Sequence, residues 1–121
     1  VKRICIGVHV HAEPERLRAT LAHLQAHTTP PFDLLLLPDG TDARTREALR
    51  ALQDLPRSGT EEALGAPACF NRLARESDAE LLILLESGSL VGPGWLEPIL
   101  SALAADPRNG LAGPSTNRAW S

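Results

Sequence analysis

The stretch LLILLESGSLVGPGWLE, Leu81 to Glu97, runs five apolar side chains straight into an acid at Glu86 and then into a small, polar loop. An apolar run of this length, ended this abruptly, reads as a buried strand, and open α/β sheets place their ligand chemistry at the carboxyl ends of such strands. Ser87-Gly88-Ser89 has little bulk, which leaves room above the strand end. Pro93 and Trp95 then announce a helix. Its span, Trp95 to Ala105, carries Leu96, Ile99, Leu100 and Leu103 on one stripe, and Asp106-Pro107 closes it.

Outward from this stretch, strand and helix patterns alternate along the whole chain, which argues an α/β layered fold with a mostly parallel sheet. Ile4 to Val10 alternates apolar with small or polar residues and reads as the first strand. Glu13-Pro14-Glu15 opens a helix whose inner face is Leu17, Leu21 and Leu24, and Thr28-Thr29-Pro30-Pro31 ends it. Phe32 to Leu37 is a second strand, whose unbroken leucines suit cover on both faces. Pro38 to Asp42 is a tight turn, with Thr41 or Asp42 able to cap a helix that buries Ala48, Leu49, Leu52 and Leu55. Pro56 to Thr60 is a short irregular stretch with room for an edge strand that the residues themselves do not make legible. A helix follows over Ala66 to Glu76, with Phe70, Leu73 and Ala74 inward and Pro67 in its first turn. Gly110 to Gly113 reads as one more short strand, and Asn117 to Ser121 leads away from the unit.

The length of 121 residues fits one domain, residues 1–121, and is short for an α/β enzyme with two substrates. The chain is therefore expected to be part of a larger one. Val1 and the absence of Met agree with a trimmed boundary. A net charge of −3, with basic residues scattered among acids, gives no stripe for a nucleic-acid backbone. No apolar run approaches the roughly 18 residues that span a bilayer. Cys5 falls in a strand and Cys69 in a helix, with no CxxC spacing, so both read as buried reduced thiols and favour the cytoplasm.

Asp39 and Asp42 follow the second strand and Glu86 follows the third, so a parallel sheet brings three carboxylates to one edge. Acids there can accept hydrogen bonds from a ribose or base and can hold a divalent metal. Asp-Gly is also ordinary turn chemistry and Asp42 also suits a plain helix cap, so spacing leaves both readings open. His9 and His11 alternate on the first strand and point to one face, but no third metal ligand with suitable spacing follows them. His23 and His27, four apart with charged neighbours, read as a solvated helix face. No GxSxG elbow, phosphate-binding glycine loop or Cys-His pairing is legible, which removes nucleophilic and P-loop chemistry.

Taken in order, IGVHV, EPERLRATLAHL, FDLLLLPDGTD, GAPACFNRLA, ELLILLESGSLVGPGWLEPILSAL and GLAGPSTN resemble the nucleotide-sugar-binding half of family 2 glycosyltransferases of the GT-A fold, over nearly the whole chain. The resemblance implies a doubly wound, mostly parallel sheet with helices on both faces. It implies a sugar transferred from a nucleoside-diphosphate donor to an acceptor it does not identify. His9 to His11 match the segment that contacts the nucleotide. Asp39-Gly40-Thr41 resemble the last three positions of the family's Asp-Asp-Gly-Ser turn, which binds base and ribose. Cys69-Phe70-Asn71 correspond to its Ala-Arg-Asn pattern, and Glu86-Ser87-Gly88 fall on the Asp-x-Asp that holds a divalent metal, manganese or magnesium, on the donor diphosphate.

Pro38, Phe70 and Gly88 depart from that pattern. Gly88 has no ligand to offer, so Glu86 alone is left as a metal ligand, which puts the metal in question. The implied nucleotide-binding residues are His9, His11, Asp39, Gly40 and Asn71. The general base and acceptor elements belong to a second half of the family's fold, so catalytic residues are unassigned and this chain alone is not expected to complete a transfer. Two rivals stand beside this reading: a non-catalytic module that keeps the fold without the metal motif, and a nucleotidyltransferase-like domain, which lacks a basic glycine-rich loop here.

Overall fold

The computed structural model describes residues 3–105. The Asp106-Pro107 helix stop, the Gly110 to Gly113 strand and the Asn117 to Ser121 tail lie outside them. In chain order the elements are β1 (Ile4–Val10), α1 (Pro14–His27), β2 (Asp33–Pro38), α2 (Ala43–Arg50), α3 (Ala66–Glu76), β3 (Leu81–Glu86) and α4 (Leu96–Ala105). The strands form a parallel sheet in the order β2-β1-β3. Val8 lies opposite Leu36 and Leu85, and His9 opposite Leu37 and Glu86, so the carboxyl ends of all the strands share one edge.

Alternation along β1 divides the core between two layers. Ile6, Val8 and Val10 face Leu17 and Leu24 of α1, Leu49 of α2, and Leu96 and Ile99 of α4. Cys5 faces the other way and packs with Leu37, Cys69 and Leu73, the last two from α3. Helices therefore cover both faces, as the alternating pattern predicts. Gly7 lets α3 sit close, because a Cβ there would lie 2.6 Å from Leu73 Cδ2.

Several local expectations need correction. The helix read through Leu55 ends at Arg50. Leu52 and Leu55 follow in i→i+3 turns yet still pack on the larger core. The Arg57 guanidinium donates a second bond to each of the Leu49 and Leu52 carbonyls, at 2.8 and 2.5 Å, and so braces these turns. The irregular stretch after it runs parallel to the outer edge of β2. Leu36 N–H donates to Pro56 O, Ser58 N–H to Leu36 O, and Thr60 N–H to Pro38 O. On α3 it is Cys69 and Leu73 that are buried, while Phe70 is partly buried and Ala74 is exposed.

The strand β3 is less buried than its apolar run predicts. Leu82 and Leu84 are 37% and 38% exposed, because α3 lies chiefly against β1 and β2 on that face. Nor is His23 simply solvated. It is half-buried, donates from Nδ1 to Val91 O at 3.2 Å, and has the His27 ring 5.9 Å away. That contact helps hold the loop after β3, as do Gly88 N–H on Thr20 Oγ1 at 2.8 Å and Trp95 Nε1–H on Thr28 Oγ1 at 2.9 Å.

Candidate functional site

Three elements meet at the carboxyl edge around one imidazole. His9 sits on the α3 face of β1 near its end, buried, with a carboxylate on either side. Its Nε2 lies 2.8 Å from Asp39 Oδ2, just past β2, and its Nδ1 lies 3.0 Å from Glu86 Oε2, at the end of β3. An imidazole with a carboxylate on each nitrogen is best satisfied as the doubly protonated cation, which donates to both. Burial pushes the His9 pKa down, but the hydrogen bonds and charges of Asp39 and Glu86 outweigh it and raise it above the usual histidine value.

Asp39 is 2% exposed, so its carboxylate points into the protein rather than across its surface. Besides His9 it accepts the backbone N–H of Leu64 at 2.6 Å and of Gly65 at 3.0 Å, which ties the start of α3 to the end of β2. Burial alone would push this carboxyl up; the bonds from His9, Leu64 and Gly65 prevail and hold it below the usual carboxylate range. His11 grips the same residue from outside, donating from Nδ1 to the Asp39 carbonyl at 2.7 Å. The two histidines thus meet through Asp39, His9 at its carboxylate and His11 at its carbonyl. Gly40, next in the turn, has φ +54°, and a Cβ there would lie 2.5 Å from the backbone nitrogen of Ala63. The turn therefore presses against the segment leading into α3.

Not every acid or polar residue singled out in the sequence arrives at this edge. Asp42 caps α2, accepting Thr45 N–H at 2.8 Å, so the three-acid convergence reduces to Asp39 and Glu86. Asn71 is exposed, and two positions from buried Cys69 on a helix it falls on the side of α3 away from the sheet. The Glu86 side chain is 61% exposed and reaches solvent at the rim. Gly88 takes φ +104°, outside even the left-handed region that other residues visit. One carboxylate, already bonded to His9, does not make the paired chelate of an Asp-x-Asp, so the residues here do not fit that metal site.

Two residues escape sequence reasoning. Cys69 enters the site: its Sγ, a His9 ring nitrogen and an Asp39 carboxylate oxygen all lie within 4.8 Å of one another. This is a Cys-His pairing across the fold that no linear spacing shows. Phe70, where the family pattern has Arg, presents its ring edge-on to His9 at 6.4 Å and 73° and closes the apolar side of the imidazole. Both thiols are free and buried, as the sequence predicts.

The chain as a whole has counterparts among known proteins. The family profile described as Glycosyl transferase family 2 matches residues 5–120. Validoxylamine A glucosyltransferase of Streptomyces hygroscopicus subsp. limoneus is 34% identical over 94 residues, which are 73% of this chain and 21% of that protein. The chain thus spans about one fifth of the length of that relative. Among solved structures, the mannosyltransferase PcManGT from Pyrobaculum calidifontis, in complex with GDP-Man and Mn2+, superposes with a TM-score of 0.76 at 17% identity, over 88% of this chain and 33% of that one. S. aureus TarS in complex with UDP gives 0.69 at 15% identity, over 93% and 38%. At these identities the structural likeness shows a shared GT-A-type fold.

Proposed function

This chain belongs to glycosyl transferase family 2, and on that premise we propose that it is the donor-binding part of a glycosyltransferase that moves a sugar from a nucleoside diphosphate to an acceptor. The observation that carries the reading is the knot of His9 with Asp39 and Glu86 at the carboxyl edge, since that edge is where an open α/β sheet receives a nucleotide. Asp39 acts from beneath, fixing the Gly40 turn and the Leu64-Gly65 amides, while His11 and the backbone of Gly40 and Thr41 meet the base and ribose. Glu86 faces the ribose and diphosphate as a single carboxylate, and no metal step enters the proposal. Two buried reduced thiols agree with a cytoplasmic setting, and among the described residues no helix is long and apolar enough to cross a membrane.

Calorimetric titration of the protein with UDP, GDP and their sugar conjugates, with and without Mn2+, tests this reading. The expected result is binding of a nucleoside diphosphate with little change on adding manganese, and at least about tenfold weaker binding in Asp39→Ala, equivalent to about 1.4 kcal/mol. Absence of binding by the full-length protein would reject the donor site. Binding that requires manganese would reject the metal-free role given to Glu86.

A further inference from the structure

We propose that His9, Asp39 and Cys69 form a second kind of site, for a zinc-class divalent cation, beneath the nucleotide edge and apart from the Glu86-Ser87-Gly88 position. The three ligands come from β1, the turn after β2, and α3. They offer one nitrogen, one oxygen and one sulfur, with these atoms within 4.8 Å of one another in a buried setting. That donor set suits zinc or cobalt better than manganese or magnesium, which prefer oxygen alone. Bonds of about 2.0–2.3 Å in a tetrahedron hold ligand atoms about 3.3–3.6 Å apart. To admit the ion, the His9 to Asp39 contact of 2.8 Å would open by about half an ångström, and ligand atoms separated by as much as 4.8 Å would close by about one.

The outer contacts of these three residues also suit an ion. A metal-bound imidazole ordinarily donates its other N–H to a carboxylate, and His9 Nδ1 already faces Glu86 Oε2 at 3.0 Å, leaving Nε2 for the ion. Asp39 is oriented by two backbone N–H groups, from Leu64 and Gly65, that would remain in place as the ion replaces His9 on its oxygen. Cys69 is protonated without a cation, because burial and the Asp39 charge push its thiol up. Coordination forms an S–metal bond as the thiol proton leaves to solvent, together with the proton on His9 Nε2. The ion would then cross-link the ends of β1 and β2 to α3, and the site does not depend on the donor-binding reading.

Titration of the metal-free protein with Co2+ tests it on the unmodified chain. The expected result is uptake of one equivalent with a thiolate-to-cobalt charge-transfer band, displaced by Zn2+. Absence of that band would overturn the site. In Cys69→Ser the band should vanish while Cys5→Ser keeps it, and a band that survives Cys69→Ser would place the ion elsewhere. Glu86→Gln should weaken cobalt binding about tenfold through loss of the outer carboxylate; unchanged affinity would contradict the assigned geometry.

Discussion

Gly88 stands at the position of the family's second metal-holding acid, and its φ of +104° belongs to a region that side chains with a Cβ rarely adopt. The missing acid is therefore built into the loop's backbone, which Gly88 N–H anchors on Thr20 Oγ1. Restoring the acid alone should fail. Gly88→Asp is expected to cost about 1–3 kcal/mol of stability and to leave manganese affinity unchanged, as read by urea denaturation and by titration. A variant of unaltered stability that gained a manganese site would refute this account. Asp39 gives a related lesson. Its place after a strand is legible in the sequence, but its burial is not, because that depends on the Leu64 and Gly65 amides arriving from a segment 25 and 26 residues away.

At the scale of the element, α3 links core and site, since its inner face carries both Leu73 and Cys69. Its close approach to β1 rests on Gly7. Gly7→Ala would put a methyl 2.6 Å from Leu73 Cδ2 and push the helix outward, at a cost of about 1–3 kcal/mol. The same displacement should draw Cys69 from His9, so the variant is expected to lose both thermal stability and cobalt affinity; a variant equal to the parent in both would argue that α3 has room to spare. The elements themselves were largely legible. β1, α1 and α3 follow from alternation, from the Leu17, Leu21 and Leu24 spacing, and from the Pro67 start. The edge segment after α2 was not, because its pairing with β2 uses backbone groups alone and leaves no periodic mark.

For the whole molecule, the His9–Asp39 pair joins parts of the chain 30 residues apart and should shape stability as a function of pH. Asp39 is held below its ordinary pKa, so its contribution is present above about pH 4 and is lost as pH falls through the lowered value. The His9 pKa is raised, so its contribution is complete below about pH 6.5 and is lost as pH rises through the higher folded value. Both describe one contact seen from two partners. In metal-free protein, unfolding stability should therefore be greatest between these limits, and His9→Gln should flatten the alkaline limb. An unchanged alkaline limb in that variant would assign the pH dependence to other groups.

By itself the sequence determined the α/β class, the parallel sheet, the strand ends that bear acids and the departures at Pro38, Phe70 and Gly88, because periodicity and residue type are local properties of the chain. Only the tertiary structure decided that Asp42 caps a helix, that Asn71 lies on the outer side of α3 and that His9, Asp39, Glu86 and Cys69 converge. Those outcomes depend on the rotation of α3 over the sheet and on the register of β1 against both neighbours. Such long-range packing leaves no spacing in the sequence from which it can be read.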